Sequence, residues 1–239
     1  MNFSNINDFI SYKIVFIFSI LFFIILCTTN ILQNIFGNIS YEKYKLFIFS
    51  FVFAFIVFGI ILPIFKIKLF TLSTKKNLNK IHLYDFFHNI KLNENIEKFF
   101  NNINDYIPSL FLILYIYLCI NKKNINGISY ILIGLSVIFI IKYILAFATI
   151  LPDSSGKCKL NLTKGGCNDL LCSGHFSIVL LTYLLIVKYK LLNKNFSNIL
   201  LFIVILYSII PVLSKHHYTI DILVAVIIVL WINNYIPKK

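Results

Sequence analysis

Long apolar runs alternate with short polar segments along this chain. There are seven such runs, at residues 14–35, 46–64, 107–120, 128–151, 176–192, 199–213 and 218–236. A bilayer core of roughly 30 Å takes about 20 apolar residues as helix, and only helices or closed barrels satisfy their backbone polar groups inside it. The pattern therefore predicts an all-α, polytopic integral membrane protein. The third and sixth runs are short, but apolar neighbours can extend each of them.

The first run needs an interpretation of its own, because an N-terminal apolar stretch can be a secretory signal. Residues 1–50 contain no Ala and no small-x-small cleavage pattern after the run, so we interpret it as a retained anchor. No internal repeat and no Gly-rich or Pro-rich linker follows it. We therefore predict an anchor span within residues 1–40 and one six-span domain over residues 41–239.

Composition supports a membrane location and excludes some classes of function. The chain is 59% hydrophobic and only 13% charged, whereas soluble domains are about a quarter charged. Its 22 basic residues against 9 acidic ones give a net charge of +13, and every basic residue is Lys. Functions that need the paired hydrogen bonds of an Arg guanidinium group are thereby excluded. The lysines lie between apolar runs rather than on one face, so we expect no nucleic-acid partner.

Charge leaves the orientation in the membrane open. If all seven runs span, the loops after the first, third and fifth runs and the C-terminus share one side, with nine lysines. The positive-inside rule then makes that side cytoplasmic. The 66–106 loop on the opposite side adds seven lysines there, and counting it reverses the predicted orientation.

Two polar segments lead into apolar runs that are expected to begin on the same side of the membrane. Residues 167–175 (Cys-Asn-Asp-Leu-Leu-Cys-Ser-Gly-His) precede the fifth run, and residues 216–221 (His-His-Tyr-Thr-Ile-Asp) precede the seventh. Asp221 lies inside apolar sequence, where an ionisable group costs about 2.5–3.5 kcal/mol and requires a partner or a water-filled cavity. His217, four residues earlier, is within hydrogen-bonding reach if both lie on one helix face.

These residue types suit nucleophilic catalysis. A carboxylate bonded to one nitrogen of His217 leaves the other nitrogen as a nucleophile and stabilises the cation formed on attack. His175, from another helix end, is a candidate to protonate a leaving group and then to act as a base. A single His at a membrane interface is more often only an amphipathic residue. Two His and one Asp could instead bind a metal ion, but the sequence has no zinc-ligand spacing. We therefore predict no metal and no cofactor.

The segments resemble those of the sphingomyelin synthases, membrane phosphotransferases related to the lipid phosphate phosphatases. That family carries Cys-Gly-Asp-x-x-x-Ser-Gly-His, which residues 167–175 match with Asn168 in place of Gly, and His-Tyr-Thr-x-Asp, which residues 217–221 match. Residues 149–152 (Thr-Ile-Leu-Pro) resemble its Thr-x-Leu-Pro, and residues 83–88 (Leu-Tyr-Asp-Phe-Phe-His) resemble its Leu-Pro-Asp-x-Phe-Phe. The order and separation of the four segments agree with the family over runs two to seven.

The resemblance implies a six-helix phosphotransferase core, to which this chain adds one N-terminal span. It implies that His217 is the nucleophile, that Asp221 orients it and that His175 handles the leaving-group proton. The implied reaction moves phosphocholine from phosphatidylcholine to ceramide through a histidine-linked intermediate. The implied partners are a phospholipid donor and ceramide or diacylglycerol. The implied location is the Golgi, the endoplasmic reticulum or the plasma membrane, with the active site on the lumenal or extracellular side.

Two positions depart from the family pattern. Phe176 replaces the Thr that usually follows Ser-Gly-His, and Lys142 stands where the family carries Arg. The ammonium group of Lys does not form the paired hydrogen bonds of a planar Arg guanidinium group. The identities of the transferred head group and of the acceptor lipid therefore stay open. The alternatives are a lipid phosphate phosphatase with water as acceptor, and a non-enzymatic membrane protein that keeps the fold.

Some charged residues outside the proposed triad are candidates for substrate binding. We expect Asp169 to hold the Ser-Gly-His turn or to face a cationic head group, and we include Lys142 and Asp105 as further candidates. For Asp105 and for Asp85, an exposed loop carboxylate is the simpler interpretation.

The loop before the fifth run contains Cys158, Cys167 and Cys172. A lumenal or extracellular placement would permit a disulfide, and the spacing favours Cys158 with Cys167. A cytoplasmic placement would keep all three thiols reduced, so their redox state tests the orientation.

Overall fold

The fold is taken from a computed structural model, which describes residues 29–75, 84–90, 92–151 and 171–238. All regular structure in these residues is helical, as the sequence predicts. The helices, numbered in chain order, are α1 Thr29–Phe36, α2 Tyr41–Ile56, α3 Leu62–Lys75, α4 Glu94–Asn121, α5 Ile125–Ala148, α6 Gly174–Lys188, α7 Lys194–Leu213 and α8 Thr219–Tyr235. A π-helical turn, Val57–Ile61, joins α2 to α3, and a 3-10 turn, Phe86–Asn89, lies between α3 and α4.

In the described part of the chain, six helical rods correspond to the predicted runs two to seven. The continuous α2–α3 rod (Tyr41–Ser73, 33 residues), α4, α5 and α7 are long and apolar enough to cross a membrane. The apolar helices α6 and α8 are shorter, with 15 and 17 residues. The chain is thus a polytopic integral membrane protein. Most of the first predicted run lies outside the described residues, so the anchor and the domain boundary stay predictions.

The rods alternate in direction, which brings several helix ends together at one end of the bundle. α3, α5 and α7 end there, and α4, α6 and α8 begin there; we call this the upper end. The Phe65 and Phe147 rings, 5.3 Å apart, join α3 to α5. The Tyr207 hydroxyl donates to the Asn104 carbonyl at 3.1 Å and joins α7 to α4. Both polar segments singled out from the sequence lead into helices that start at this end.

Three connections between helices are tight turns of one kind. After α4, α6 and α7, a lysine takes the left-handed conformation, with φ of 50° at Lys123, 50° at Lys190 and 58° at Lys215. In each turn the N–H of this lysine and that of the next residue bond back to carbonyls of the last helical turn, which is the Schellman pattern. The hydrogen bonds satisfy the terminal carbonyls and reverse the chain in a few residues.

Helix α6 lies at the centre of the bundle and packs against α4, α5, α7 and α8. Its side chains Val179, Leu181 and Leu185 are fully buried. Apolar side chains such as Ile113 on α4 and Ile227 on α8 are instead exposed on the outer surface. An apolar exterior around a packed core suits a lipid environment, in which helices satisfy their own backbone polar groups along the spanning segment.

Two helices extend beyond the predicted apolar runs. α4 begins at Glu94 rather than near residue 107, and α3 continues to Lys75 rather than ending near residue 64. The polar start of α4 is stabilised by its N-cap, since the Asn93 side chain accepts from the Asn95 N–H at 3.0 Å, and by two Glu in the first turn. Asp105 therefore lies inside α4 and not in a loop before it.

Candidate active site

The turn between α7 and α8 carries His217. Its ring Nδ1 lies 3.0 Å from Oδ2 of Asp221, so the hydrogen bond predicted from the four-residue spacing is present. The prediction assumed that both residues lie on one face of a helix, but α8 begins only at Thr219. His217 thus precedes the helix, and Asp221 reaches back to it from the first turn. The same carboxylate oxygen accepts from the Tyr218 N–H at 3.0 Å, as the third residue of a helix often does for its N-cap.

Asp221 also connects α8 to the segment before α6. Its second carboxylate oxygen, Oδ1, accepts from the Leu171 N–H at 2.9 Å, and its backbone carbonyl accepts from the Ser173 N–H at 3.2 Å. Leu171 has a φ of 87°, a region that residues with side chains rarely adopt. The Asp221 side chain is fully buried. A charge in such a place is tolerated only when hydrogen-bonded, and three donors surround this one.

The start of α6 is fixed by Ser173. The Ser173 hydroxyl accepts from the Phe176 N–H at 3.3 Å, and the helix begins at Gly174. His175 is therefore the second residue of α6, and it is partly buried. Since Leu171 and Ser173 both bond to Asp221, the helix ends that carry His175 and His217 are held beside each other. The roles of His175, His217 and Asp221 in catalysis stay a prediction.

Lys142 lies near the end of α5 and is buried, with 4% of its surface exposed. Its Nζ is 5.9 Å from the centres of the Phe139 and Tyr143 rings. A Cβ atom on Gly174 would lie 3.4 Å from this Nζ and 3.1 Å from a carbon of Phe139. Glycine therefore lets the ammonium group approach the N-terminus of α6, where N–H groups carry partial positive charge. Together these groups favour an anion such as a phosphate.

The segment at residues 84–90 contacts the same turn from another direction. The Asp85 carboxylate accepts from the Thr219 N–H at 2.7 Å and from the Thr219 hydroxyl at 3.0 Å. His88 Nε2 lies 3.0 Å from the carbonyl oxygen of His217. Because a carbonyl only accepts, this nitrogen carries the proton. The interpretation of Asp85 as an exposed loop carboxylate is wrong, since it is partly buried and bonded to α8.

The charge of Asp85 is favoured in this position. Burial raises the pKa of Asp85, but hydrogen bonds from the Thr219 N–H and hydroxyl and from the Phe87 N–H, with the nearby His88 ring, lower it by more. The net effect is a pKa below the usual value. Asp85 is therefore ionised at neutral pH, next to the N-terminus of α8, where the helix dipole also favours negative charge.

The remaining predicted residues lie farther from this centre or outside the described residues. Asp105 is exposed on α4, next to the buried Asn104. Asp169, Cys158 and Cys167 lie outside the described residues, so substrate binding by Asp169 and the disulfide stay predictions. Substrate binding by Asp105 and Lys142 also stays a prediction.

Cys172, the third cysteine of that loop, is fully buried. Its sulfur lies 3.8 Å from the Ser177 hydroxyl. Over residues 29–75, 84–90, 92–151 and 171–238, no group of three His, Cys, Asp or Glu side chains is arranged to hold a metal ion.

The C-terminal third of the chain matches a known family model. Residues 166–236 match the PAP2 superfamily C-terminal family. The match makes this part of the chain similar to the lipid phosphatases and phosphotransferases. The matched stretch includes the segment before α6, the turn before α8 and all three residues of the predicted triad. No curated protein and no solved structure matches the chain. Together with the apolar rods, the family match supports a membrane-embedded enzyme of the phosphatase or phosphotransferase kind.

Proposed function

We propose that this protein is a lipid head-group phosphotransferase that moves phosphocholine from phosphatidylcholine to ceramide and yields sphingomyelin and diacylglycerol. One observation carries the proposal: a single buried carboxylate, that of Asp221, bonds to the ring of His217 and to the segment that positions His175. The resemblance of four sequence segments to the sphingomyelin synthases supports the choice of donor and acceptor.

The first step forms the histidine-linked intermediate. With Asp221 at Nδ1, the His217 tautomer has its lone pair on Nε2. Nε2 attacks the phosphorus of the donor lipid, the bond from phosphorus to the glycerol oxygen breaks, and that oxygen takes a proton from His175. The positive charge that develops on the His217 ring is stabilised by the buried carboxylate, because a low-dielectric site strengthens the attraction.

The second step transfers the head group. His175, now neutral, removes the proton from the primary hydroxyl of ceramide as its oxygen attacks phosphorus. The phosphorus–nitrogen bond breaks and its electron pair returns to Nε2 of His217. Both histidines regain their starting protonation states, so no external acid, base or cofactor is consumed.

We assign Lys142 to binding the phosphate group of the donor lipid. The Lys142 ammonium group lies beside Gly174, the first residue of α6, so an anion bound at this helix start would be stabilised both by the ammonium group and by the first N–H groups of the helix. A phosphoryl group gains negative charge on its oxygens during attack, so these groups stabilise the transition state as well as the bound lipid. The proposal places this centre on the lumenal or extracellular side.

Water as the acceptor is the second candidate, which would make the protein a lipid phosphate phosphatase. The match to the PAP2 superfamily favours it, because that superfamily contains phosphatases as well as phosphotransferases. The two reactions share the first step and differ only in what enters the site for the second.

A donor and acceptor panel in liposomes tests the proposal. Head-group-labelled phosphatidylcholine, phosphatidylethanolamine, phosphatidylinositol and phosphatidic acid are each supplied with ceramide, with diacylglycerol or without an acceptor, and products are identified by mass. We expect labelled sphingomyelin from phosphatidylcholine and ceramide. Release of inorganic phosphate from phosphatidic acid, without any transfer to ceramide, would establish the phosphatase instead, and no turnover of any donor would leave a non-enzymatic protein.

Two adjacent histidines provide a matched pair of variants for this assay. We expect His217→Ala to abolish transfer and His216→Ala to retain it, because His216 is exposed and contacts Asn101 of α4, with 2.9 Å between its Nε2 and the amide oxygen. Full transfer by His217→Ala would remove that residue from the mechanism.

A further inference from the structure

The start of α8 is capped differently from the helices that follow the two other tight turns. The turn after α4 ends in Asn124, whose side chain accepts from the Gly127 N–H at 3.2 Å. The turn after α6 ends in Asn193, whose side chain accepts from the Phe196 N–H at 3.0 Å. The N-cap of α8 is Tyr218, whose own N–H donates to Asp221 Oδ2 at 3.0 Å. The N–H groups of a helix's first turn have no acceptor one turn earlier in the helix, so they bond to groups outside it.

Asp85 supplies an acceptor from 134 positions earlier in the chain. Its Oδ2 accepts from the Thr219 N–H at 2.7 Å and its Oδ1 from the Thr219 hydroxyl at 3.0 Å. Oδ1 also accepts from the Phe87 N–H at 3.0 Å, which fixes the carboxylate to its own 3-10 turn. The first residue of α8 is thus capped by a rigidly held side chain of another segment.

His88, in the same 3-10 turn, contacts the two residues before Thr219. Its Nε2–H donates to the His217 carbonyl at 3.0 Å, and its ring lies 5.1 Å from the Tyr218 ring, centre to centre. The His217 N–H donates to the Pro211 carbonyl at 3.0 Å. The backbone of His217 is therefore held on both sides, by the end of α7 and by His88, while Asp221 holds its ring.

We infer that Asp85 and His88 are positioning residues that fix the backbone of residues 217–219 and so aim the ring of His217. The inference rests on the proposed function, since it takes His217 to be the nucleophile. It differs from a role in folding alone, because each of the two side chains bonds to a residue of the 217–219 turn. Attack on phosphorus requires alignment, and a displacement of about 1 Å can reduce a rate about a hundredfold.

The test compares Asp85→Ala with Asn193→Ala in the full-length chain. Both variants remove one helix cap, but Asn193 lies at the opposite end of the bundle from His217. We expect a similar fall in melting temperature for both, a fall of about 10-fold to 100-fold in kcat with little change in KM for Asp85→Ala, and an unchanged kcat for Asn193→Ala. Equal kcat values for the two variants would overturn the inference while leaving the proposed function standing.

Substitutions at His88 separate its hydrogen bond from its packing. His88→Phe keeps a ring against Tyr218 and loses the donor, whereas His88→Gln keeps an N–H donor and loses the ring. We expect kcat to fall about tenfold in His88→Phe and to be largely restored in His88→Gln. A normal kcat in His88→Phe would overturn the role of this hydrogen bond.

A readout that needs no turnover distinguishes the two proposals. In protein labelled with ¹⁵N-histidine, the His217 Nδ1–H resonance, identified by its loss in His217→Ala, reports the bond to Asp221. We expect this resonance to shift or broaden in Asp85→Ala and to stay in place in Asn193→Ala. If the wild-type chain turns over no donor lipid but the resonance behaves in this way, the proposed function fails and the positioning role stands. An unchanged resonance in Asp85→Ala overturns the positioning role.

Discussion

Both oxygens of the Asp221 carboxylate accept hydrogen bonds, and these bonds determine the effect of replacing Asp221 by Asn. Oδ2 receives the Tyr218 N–H and the His217 ring, and Oδ1 receives the Leu171 N–H. An amide of the same shape has only one acceptor oxygen. Whichever way it turns, its NH₂ group meets at least one donor, and one buried polar group is left without an acceptor.

We therefore expect Asp221→Asn to lower kcat by about 10⁴, as loss of the aspartate does in a Ser-His-Asp triad. If the amide N–H faces Nδ1, the His217 ring must carry its proton on Nε2, which removes the lone pair used for attack. Steady-state transfer in liposomes measures the effect, and Glu42→Gln, an exposed change at the start of α2, is the control. A kcat within tenfold of the wild type would show that Asp221 has only a structural role.

At the scale of single residues, sequence reasoning found the pair of His217 and Asp221 and missed Asp85. The pair was visible because both residues lie in one short segment and because a carboxylate in apolar sequence requires a partner. The capping role of Asp85 depends on Thr219, 134 positions later. Nothing in the local sequence distinguishes such a carboxylate from an exposed one, and only the resemblance of residues 83–88 to a family segment pointed to it.

Among the elements, α5 and α6 approach each other closely at Gly174. A Cβ atom there would lie 3.1 and 3.2 Å from two carbons of the Phe139 ring. These distances are shorter than normal van der Waals contacts, so either the Phe139 ring or the helices must shift to accept a side chain. The two helices carry Lys142 and His175, and a shift of the helices would change the relative position of these two residues.

We expect Gly174→Ala to destabilise the protein by about 1–3 kcal/mol and to lower kcat as well. Gly127→Ala is the matched control, since its Cβ atom would lie 2.8 Å from the Cys119 sulfur and 2.9 Å from the Tyr115 hydroxyl, at the opposite end of the bundle. It should destabilise without changing kcat per folded molecule. Thermal unfolding and transfer assays together check this, and equal losses of activity in both variants would argue against a precise α5–α6 contact in catalysis.

The ends of helices were predictable only where the apolar run and the helix begin or end at nearly the same residue. The starts of α6 and α8 agree with the predicted runs to within two residues. The start of α4 lies about three and a half turns before its apolar run, because those turns carry Asn and Glu and are stabilised by a cap rather than by burial. Apolar patterning responds to the membrane and the core, and it does not detect helix that projects beyond them.

On the scale of the whole molecule, three stretches that are distant in sequence meet at the upper end. Residues 84–90 bond to the turn before α8, and the segment before α6 bonds to Asp221. Alternating spans predicted the meeting of the second and third stretches, because their helices begin on the same side. The part played by residues 84–90 could not be predicted, since they lie in a polar segment between spans, where apolar patterning gives no position.

The contact between the first of these stretches and α8 should weaken in acid. The folded pKa of Asp85 lies below its unfolded value, so its stabilising effect is complete above about pH 4 and is lost as the pH falls through the folded pKa. We expect the wild type to melt at a higher temperature than Asp85→Asn from pH 7 to about pH 5, with the difference shrinking below about pH 4. A difference that vanishes already near pH 6 would mean that the pKa is raised instead.

The unequal lengths of the rods have a consequence for how a substrate arrives. Helices of 15 and 17 residues, α6 and α8, rise about 22 and 26 Å, whereas the 28 residues of α4 rise about 42 Å. Since the hydrocarbon layer is roughly 30 Å thick, the two short helices need not reach the aqueous phase at both ends. A lipid can then reach their first turns by lateral diffusion, without being extracted into water. Turnover should accordingly follow the mole fraction of donor in the liposome rather than its bulk concentration, so diluting the donor with an inert lipid at constant total donor should slow the reaction.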